Sequence, residues 1–312
     1  MANLYYAKLS VNSEIFKVYA GEVKISDILD ALYKKINDEV EYVKTHTWLQ
    51  KTENGFEEKQ SEEIYCFSDI EKNNDSRRYI LGRVIRRFPL FTEEYDENTR
   101  SVSKIVHENN AVSINFYFDV DSEIITFCTR RSFGQLQFVD AFKELINECM
   151  SSVHFEIFLI KDSLNIKERL KNVYKVTRIK SIVIPPNANE DHLKELYDAS
   201  IKTMEEANVT KRTSIFEVSH KSEKGINVNS KMVTEELDVN EATKAYKIEK
   251  GYGKIEVHGE HRDGSKFFFD SDVDSPYITL MDEENKNITR YFIEASRNGI
   301  AIFLAREIGQ AE

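Results

Sequence analysis

Residues 113–161 read SINFYFDVDSEIITFCTRRSFGQLQFVDAFKELINECMSSVHFEIFLIK, and this stretch decides the fold class. Two apolar, aromatic-rich runs, Ile114–Phe118 and Ile124–Cys128, flank the acidic turn DVDS. Apolar spacing then predicts a helix from about Gln135 to Cys149, and a third apolar run, His154–Ile160, follows it. A strand–turn–strand–helix–strand unit that has its own core indicates an α+β scaffold.

The same kind of pattern continues on both sides of this unit. Upstream, Tyr5–Ser10 and Glu14–Tyr19 predict a hairpin. Downstream, helices are predicted at residues 190–207, 239–248 and 289–296, and strands at residues 254–258, 266–270, 277–280 and 300–306. We therefore predict an α+β fold of two mixed α/β halves built from β-hairpins and meanders packed with helices. The predicted domains are an N-terminal α+β domain at residues 1–165 and a C-terminal α+β domain at residues 166–312.

Composition narrows the class of protein. Only four prolines and eleven glycines occur in 312 residues, which argues against long linkers. No run approaches the roughly 18 apolar residues that span a bilayer, and the first residues lack the layout of a signal peptide. We expect a cytoplasmic protein with no membrane insertion. Three scattered cysteines do not make a disulfide framework, and two of them, Cys128 and Cys149, fall on predicted apolar faces.

Two acidic clusters are the candidates for catalysis. They consist of Asp119, Asp121 and Glu123 in the central hairpin, and Asp270, Asp272 and Asp274 farther along the chain. Carboxylates at strand ends can hold Mg²⁺ for phosphodiester chemistry, whereas aspartates in turns and at strand ends are also ordinary structural residues. The segment from His258 to His261 has zinc-type ligands without zinc spacing. We predict no metal site and no cofactor, and the catalytic residues stay unknown.

Basic residues next to aromatic residues provide the strongest functional signal. The net charge of −11 weighs against a protein that coats nucleic acid with its whole surface, but it allows a local basic groove. Arginine forks and aromatic rings suit phosphate contact and base stacking. The candidate phosphate contacts are Arg83, Arg86, Arg87, Arg130, Arg131, Arg178 and Lys180. The candidate stacking residues are Tyr79, Phe88 and Phe133. The alternative is that these cations form salt bridges with the 54 acidic residues.

Three stretches carry a resemblance to a known group of proteins. They are the hairpin LYYAKLS…EIFKVY from Leu4, the basic strand RRYILGRVIRRF from Arg77, and VTRIKSIVIPPNANEDHL from Val176. In order of elements the chain resembles uncharacterised bacterial proteins of about 300 residues that are associated with anti-phage defence loci, such as the cytosolic component of the Kiwa system. The resemblance implies a nucleic-acid-contacting effector or sensor that forms an oligomer, with a partner protein from the same operon. It carries over no active-site residue.

Three functions are therefore open. The leading hypothesis is a nucleic-acid-binding component of a bacterial anti-phage defence system that acts through a local basic groove on DNA or RNA. The second is a metal-dependent nuclease effector that uses one of the acidic clusters. The third is a non-enzymatic assembly or inhibitor protein that binds another protein, because a negatively charged protein rich in edge strands invites strand pairing. A homo-oligomer is expected.

Overall fold

Two antiparallel sheets make up most of the computed structural model, which describes residues 1–52, 55–74, 77–162, 169, 173–187, 199–219, 221–233 and 251–308. The strands are β1 (Ala2–Val11), β2 (Glu41–Thr52), β3 (Gly55–Asn73), β4 (Tyr79–Asp96), β5 (Ser101–Asp119), β6 (Ile124–Cys128), β7 (Phe155–Leu159), β8 (Lys175–Val183), β9 (Arg212–Glu217), β10 (Gly253–Glu260), β11 (Lys266–Asp270) and β12 (Ile278–Met281). The helices are α1 (Ile15–Tyr19), α2 (Ile25–Lys35), α3 (Gln135–Cys149), α4 (Ala199–Glu206), α5 (Ser271–Asp274) and α6 (Thr289–Ile308), with a 3-10 turn at Asn285–Asn287. The predicted α+β fold class is confirmed, and the helix predicted at residues 239–248 lies outside the described residues.

The larger sheet has the strand order β12-β1-β6-β5-β4-β3-β2. β1 pairs with β6 along one edge, and its other edge pairs with β12 at Ala2–Tyr5 and with β7 at Ala7–Val11. Every residue of β6 and β7 is buried, because helices or neighbouring strands cover both of their faces. The unit read from residues 113–161 is therefore the centre of this sheet.

The main core lies between the larger sheet and helices α2 and α3. Alternation along β5 sends Phe116 and Phe118 to this side, where both rings contact Phe142 of α3, at centroid distances of 4.9 and 6.3 Å. Phe127 of β6 stacks on Phe138, one turn earlier in α3, at 3.9 Å. Aromatic contacts thus fix α3 over the middle of the sheet.

Helix α6 covers the opposite side of the same sheet. Phe292, Ser296 and Ile300 are spaced four residues apart and are all buried, which is the spacing of one helix face. The strand predicted at residues 300–306 is therefore wrong, because the helical period continues past Gly299. The strand predicted at Glu14–Tyr19 is also wrong: α1 forms there and buries Ile15 and Val18, three residues apart.

The smaller sheet has the strand order β11-β10-β8-β9 around its own apolar core. The strands predicted at residues 254–258 and 266–270 are confirmed as β10 and β11, which pair as a hairpin, and Gly264 in its turn has a φ of +80°, which favours glycine. The chain passes from the larger to the smaller sheet between β7 and β8, near the boundary predicted at residue 165. β12 and α6 then return to the larger sheet, and the division into two domains stays a prediction.

Side chains join the two sheets. Asn187, which follows β8, donates to the carbonyl of Leu9 and accepts from the amide of Val11, both at 2.9 Å. At the end of β7, buried Lys161 forms a 2.7 Å ion pair with Asp272 of α5. No helix within the described ranges is long and apolar enough to cross a bilayer.

Candidate binding surface on two β-ribbon arms

The predicted phosphate contacts are placed on both sheets, and most have a carboxylate partner. Arg83, Arg86 and Arg87 lie on β4, Arg130 and Arg131 follow β6, and Arg178 and Lys180 lie on β8 of the smaller sheet. The ion pairs are Arg83–Asp69 (3.2 Å), Arg86–Glu63 (2.7 Å), Arg87–Glu41 (2.6 Å), Arg178–Glu217 (2.9 Å) and Lys180–Glu256 (3.3 Å). Five of the seven cations thus form the salt bridges that were the alternative to a basic groove.

One part of the predicted set does come together. Arg86 donates to the carbonyl of Ser132, in the turn that begins with Arg130 and Arg131. Arg130 donates to the side-chain oxygen of Asn287 at 2.9 Å, and Arg131 is exposed. This contact places one of the seven cations, Arg86, against the turn that carries two others.

The predicted stacking residues contact groups of the protein itself. Tyr79 stacks on Tyr117 at 5.0 Å, and the guanidinium of Arg297 in α6 lies 4.9 Å from the centre of its ring. Phe88 lies under Arg86 at 4.2 Å. Phe133 is fully buried in the main core. Sequence reasoning missed Arg297, because no local pattern relates a residue of α6 to a ring on β4.

The first acidic cluster is divided among separate partners. Asp119 is buried and accepts from Arg77 at 3.4 Å and from the amide of Ser122 at 3.0 Å. Asp121 forms an ion pair with Arg78, and Glu123 forms one with Lys8. Across the described ranges of the chain, there is no group of three histidine, cysteine, aspartate or glutamate side chains that could hold a metal ion.

The second acidic cluster caps a short helix. Asp270 accepts from the amide of Asp272 at 2.9 Å and thereby caps α5. Asp274 accepts from the amide of Asp270 at 2.8 Å. Burial raises the pKa of the Asp270 carboxyl, although the backbone bond and nearby Lys254 lower it in part. These contacts account for the spacing of the three aspartates in structural terms.

The larger sheet divides into two ribbons at one end. β3 and β4 pair only as far as Ile64 and Arg87. Beyond this point β2 and β3 continue as one two-stranded ribbon, which we call arm 1 (residues 45–52 and 55–62), and β4 and β5 continue as a second, arm 2 (residues 88–110). Pro89 has no amide hydrogen to donate to a ladder, and the register of β4 and β5 shifts between Phe88 and Leu90. Both features favour the separation of the arms.

Exposed apolar side chains lie on one side of both arms. Leu49 is 69% exposed and Phe56 is 72% exposed on arm 1. Tyr95 is 58% exposed and Val102, its cross-strand partner, is 59% exposed on arm 2. Val43 at the base of arm 1 and Val106 of arm 2 are also exposed. We call these six residues the arm face.

Strand register places the arm face on a single side of the sheet. Val43 pairs with Ile64, and Ile64 pairs with Arg87, so these side chains share one side. Side chains that are an even number of residues apart in a strand lie on the same side of the sheet. Leu49 therefore lies on the same side as Val43, and Tyr95 on the same side as Arg87. Between Phe88 and Leu90, β4 advances by two residues while β5 advances by three, from Asn110 to His107. The extra residue therefore lies in β5, and the alternation of side chains along β4 is uninterrupted. The side opposite the arm face is the one that α3 covers.

Acidic residues predominate on both arms. The described residues of arm 1 include three acidic residues (Glu57, Glu58 and Glu62) and two lysines, and arm 2 contains five acidic residues (Glu93, Glu94, Asp96, Glu97 and Glu108) with one arginine and one lysine. The sequence prediction of a basic surface did not consider these segments, although the acidic residues around Tyr95, in TEEYDE at residues 92–97, were a visible signal.

These features define an α+β protein with two antiparallel sheets and two acidic β-ribbon arms. A family model described as a domain of unknown function, DUF4747, matches residues 26–297. The chain belongs to this family, and the matched region includes both arms and most of both sheets. No curated protein matches the chain.

Proposed function

We propose that this protein is a non-enzymatic recognition component that binds another protein through the arm face. The observation that carries the proposal is a row of exposed leucine, phenylalanine, tyrosine and valine side chains on one side of two projecting ribbons. Contiguous apolar patches on the surface of a protein mark interaction sites more often than isolated exposed residues do. Aromatic side chains such as Phe56 and Tyr95 are the residue types that supply most binding energy at interfaces.

The charge of the arms indicates the chemistry of the partner. Apolar anchors surrounded by acidic residues complement a surface with an apolar centre and a basic rim, because opposite charges increase the association rate and reject wrong partners. The resemblance to proteins of anti-phage defence loci supports a role in such a module, with a partner encoded in the same operon.

Nucleic-acid binding through the seven predicted cations stays a prediction. The ion pairs with Asp69, Glu63, Glu41, Glu217 and Glu256 do not favour it, since phosphate would have to displace a carboxylate in each of them. The separate partners of the acidic clusters likewise do not favour the nuclease alternative. Protein binding requires no such rearrangement of the described side chains.

The test compares the arm face with the opposite side of the arms. A protein that co-purifies stoichiometrically with the wild type is identified, purified and titrated against the double variant Leu49→Asp/Phe56→Asp. The matched control is Ser103→Asp, an exposed position of arm 2 that lies on the opposite side because Ser103 pairs with Glu94, an odd number of residues from Arg87. Truncating an interface anchor commonly costs more than about 1 kcal/mol, so the double variant is expected to weaken binding by more than about tenfold.

The same titration separates the proposal from its alternatives. The control is expected to bind like the wild type. Unchanged affinity of the double variant would contradict the proposal. So would a wild type that retains DNA or RNA, with an affinity that falls steeply as salt increases, and no stoichiometric protein.

A further inference from the structure

The separation of the arms leaves two strand edges without a partner strand among the described residues. In the described ranges β3 pairs with β4 only from Ile64 to Asn73, so Phe56–Glu63 has β2 on one edge and no strand on the edge towards arm 2. The matching edge of β4 is Phe88–Asp96. A row of backbone N–H and C=O groups at a sheet edge is a template for another strand.

The side chains along these two edges are strongly acidic. The β3 edge carries Glu57, Glu58, Glu62 and Glu63 with a single lysine, Lys59, which forms an ion pair with Glu57 at 3.3 Å. The β4 edge carries Glu93, Glu94 and Asp96 and has no basic residue. Because Glu63 is already paired with Arg86, a strand at these edges would meet six other carboxylates and one ammonium group.

We propose that an extended segment of the partner protein, rich in lysine or arginine, adds as a strand to the β3 edge at Phe56–Glu63. This inference rests on the proposed function and names the part of the partner that is recognised. Main-chain hydrogen bonds supply affinity in strand addition, and alternate side chains supply specificity. The basic set of alternate side chains lies on the arm face, where Glu58 and Glu62 share a side with Phe56, and it neutralises these two glutamates.

The chemistry of the two edges selects this occupant over others. The β3 edge is favoured over the β4 edge because Pro89 interrupts the donors of β4. A second copy of this chain would bring like charges together, since the same acidic residues would face each other. Phosphate groups of nucleic acid would meet the same repulsion.

The probe is a fluorescent peptide as long as the β3 edge, in which lysine alternates with valine or threonine. Anisotropy titrations compare it with a peptide in which glutamate replaces lysine, and with a fully N-methylated peptide that has the same side chains and no amide hydrogens. We expect the basic peptide to bind and each of the other two to bind at least about tenfold more weakly. Equal binding of the N-methylated peptide would overturn strand addition, because charge alone would then explain the affinity.

Variants of the protein locate the binding site. Glu58→Lys/Glu62→Lys is expected to weaken peptide binding by about tenfold or more. Glu71→Lys makes the same charge change at an exposed position of β3 where β4 is already paired, and it is expected to leave binding within about twofold. Amides of residues 56–63 are expected to gain protection from hydrogen exchange in the complex. Equal losses of peptide affinity in both variants, or amides of residues 56–63 that gain no protection from hydrogen exchange, would overturn the inference.

Failure of strand addition can be distinguished from failure of the proposed function. If the peptide does not bind but Leu49→Asp/Phe56→Asp still releases the natural partner, the arm face binds a folded surface and strand addition is wrong. If the peptide binds and the arm-face variant keeps its partner, the proposed function is wrong instead.

Discussion

Glu63 shows how one residue stabilises the point where the arms separate. It accepts from Arg86 at 2.7 Å and from the hydroxyl of Tyr65 at 2.7 Å, and its side chain is mostly buried. Burial by itself would raise the pKa of this carboxyl, but the bonds from Arg86 and Tyr65 outweigh burial and lower the pKa below its usual 4.5. Burial and the bond to Glu63 in turn raise the pKa of Tyr65.

Glu63→Gln is expected to reduce the free energy of unfolding at neutral pH by about 2 kcal/mol, the value of a hydrogen bond to a charged group. A carboxyl with a lowered folded-state pKa contributes stability above its unfolded pKa and loses that contribution as the pH falls through the folded value. The wild type should therefore lose this stability below about pH 4.5, and the variant should show a flatter curve.

Urea titrations from pH 7 to pH 3 measure this difference. The control is Glu71→Gln, an exposed glutamate on the same strand. Identical pH dependence of both variants and the wild type would show that the contacts of Glu63 do not stabilise the fold.

The pairing of Glu63 with Arg86 also shows why residue-level function was hard to predict. The arginine–aromatic pattern on β4 was visible in the sequence, and Arg86 does contact Phe88. Its carboxylate partner is 23 residues away on a neighbouring strand, and only strand register brings the two together. Charge pairing across a sheet is not encoded in local spacing.

At the scale of elements, α6 packs on the sheet through a glycine. A Cβ atom on Gly299 would lie 1.7 Å from the hydroxyl oxygen of Tyr6. Tyr6 is buried and its hydroxyl bonds Thr279 at 2.6 Å, so the ring has little freedom to move. The close approach explains why a residue that weakens helices lies inside this one.

Gly299→Ala is expected to destabilise the protein by about 2 kcal/mol, the cost of forcing extra volume into a packed core, even though alanine is the better helix former. Chemical denaturation measures the change. The double variant Gly299→Ala/Tyr6→Phe should recover part of the loss, because it removes the clashing oxygen. A Gly299→Ala variant that is more stable than the wild type would contradict the close approach.

At the scale of the whole molecule, a buried ion pair joins the two sheets. The ammonium of Lys161 is fully buried, lies 2.7 Å from Asp272, and donates to the carbonyl of Gly253 at 2.6 Å. Burial lowers the pKa of Lys161, while the charges of Asp272 and Asp270 act in the opposite direction. Removal of either partner would leave a charge in the interior.

Asp272→Ala is expected to reduce the free energy of unfolding by about 3–5 kcal/mol, because it leaves the Lys161 charge without compensation. Replacing both groups with apolar side chains, as in Lys161→Met/Asp272→Leu, is expected to restore most of that stability. Equilibrium unfolding of the three proteins checks the prediction. An Asp272→Ala variant that is as stable as the wild type would show that this ion pair does not stabilise the contact between the two sheets.

The amino-acid sequence by itself determined the α+β class, the central unit at residues 113–161 and the β10–β11 hairpin, because each depends on local periodicity and turn chemistry. It misassigned Glu14–Tyr19 and residues 300–306, where short apolar segments fit a helix as well as a strand. Only the tertiary structure decided that five of the seven predicted cations pair with carboxylates and that the acidic clusters cap a helix or form separate ion pairs. It also decided that apolar side chains of two ribbons form one arm face. These properties depend on strand register and on contacts between residues far apart in the chain, which local spacing does not specify.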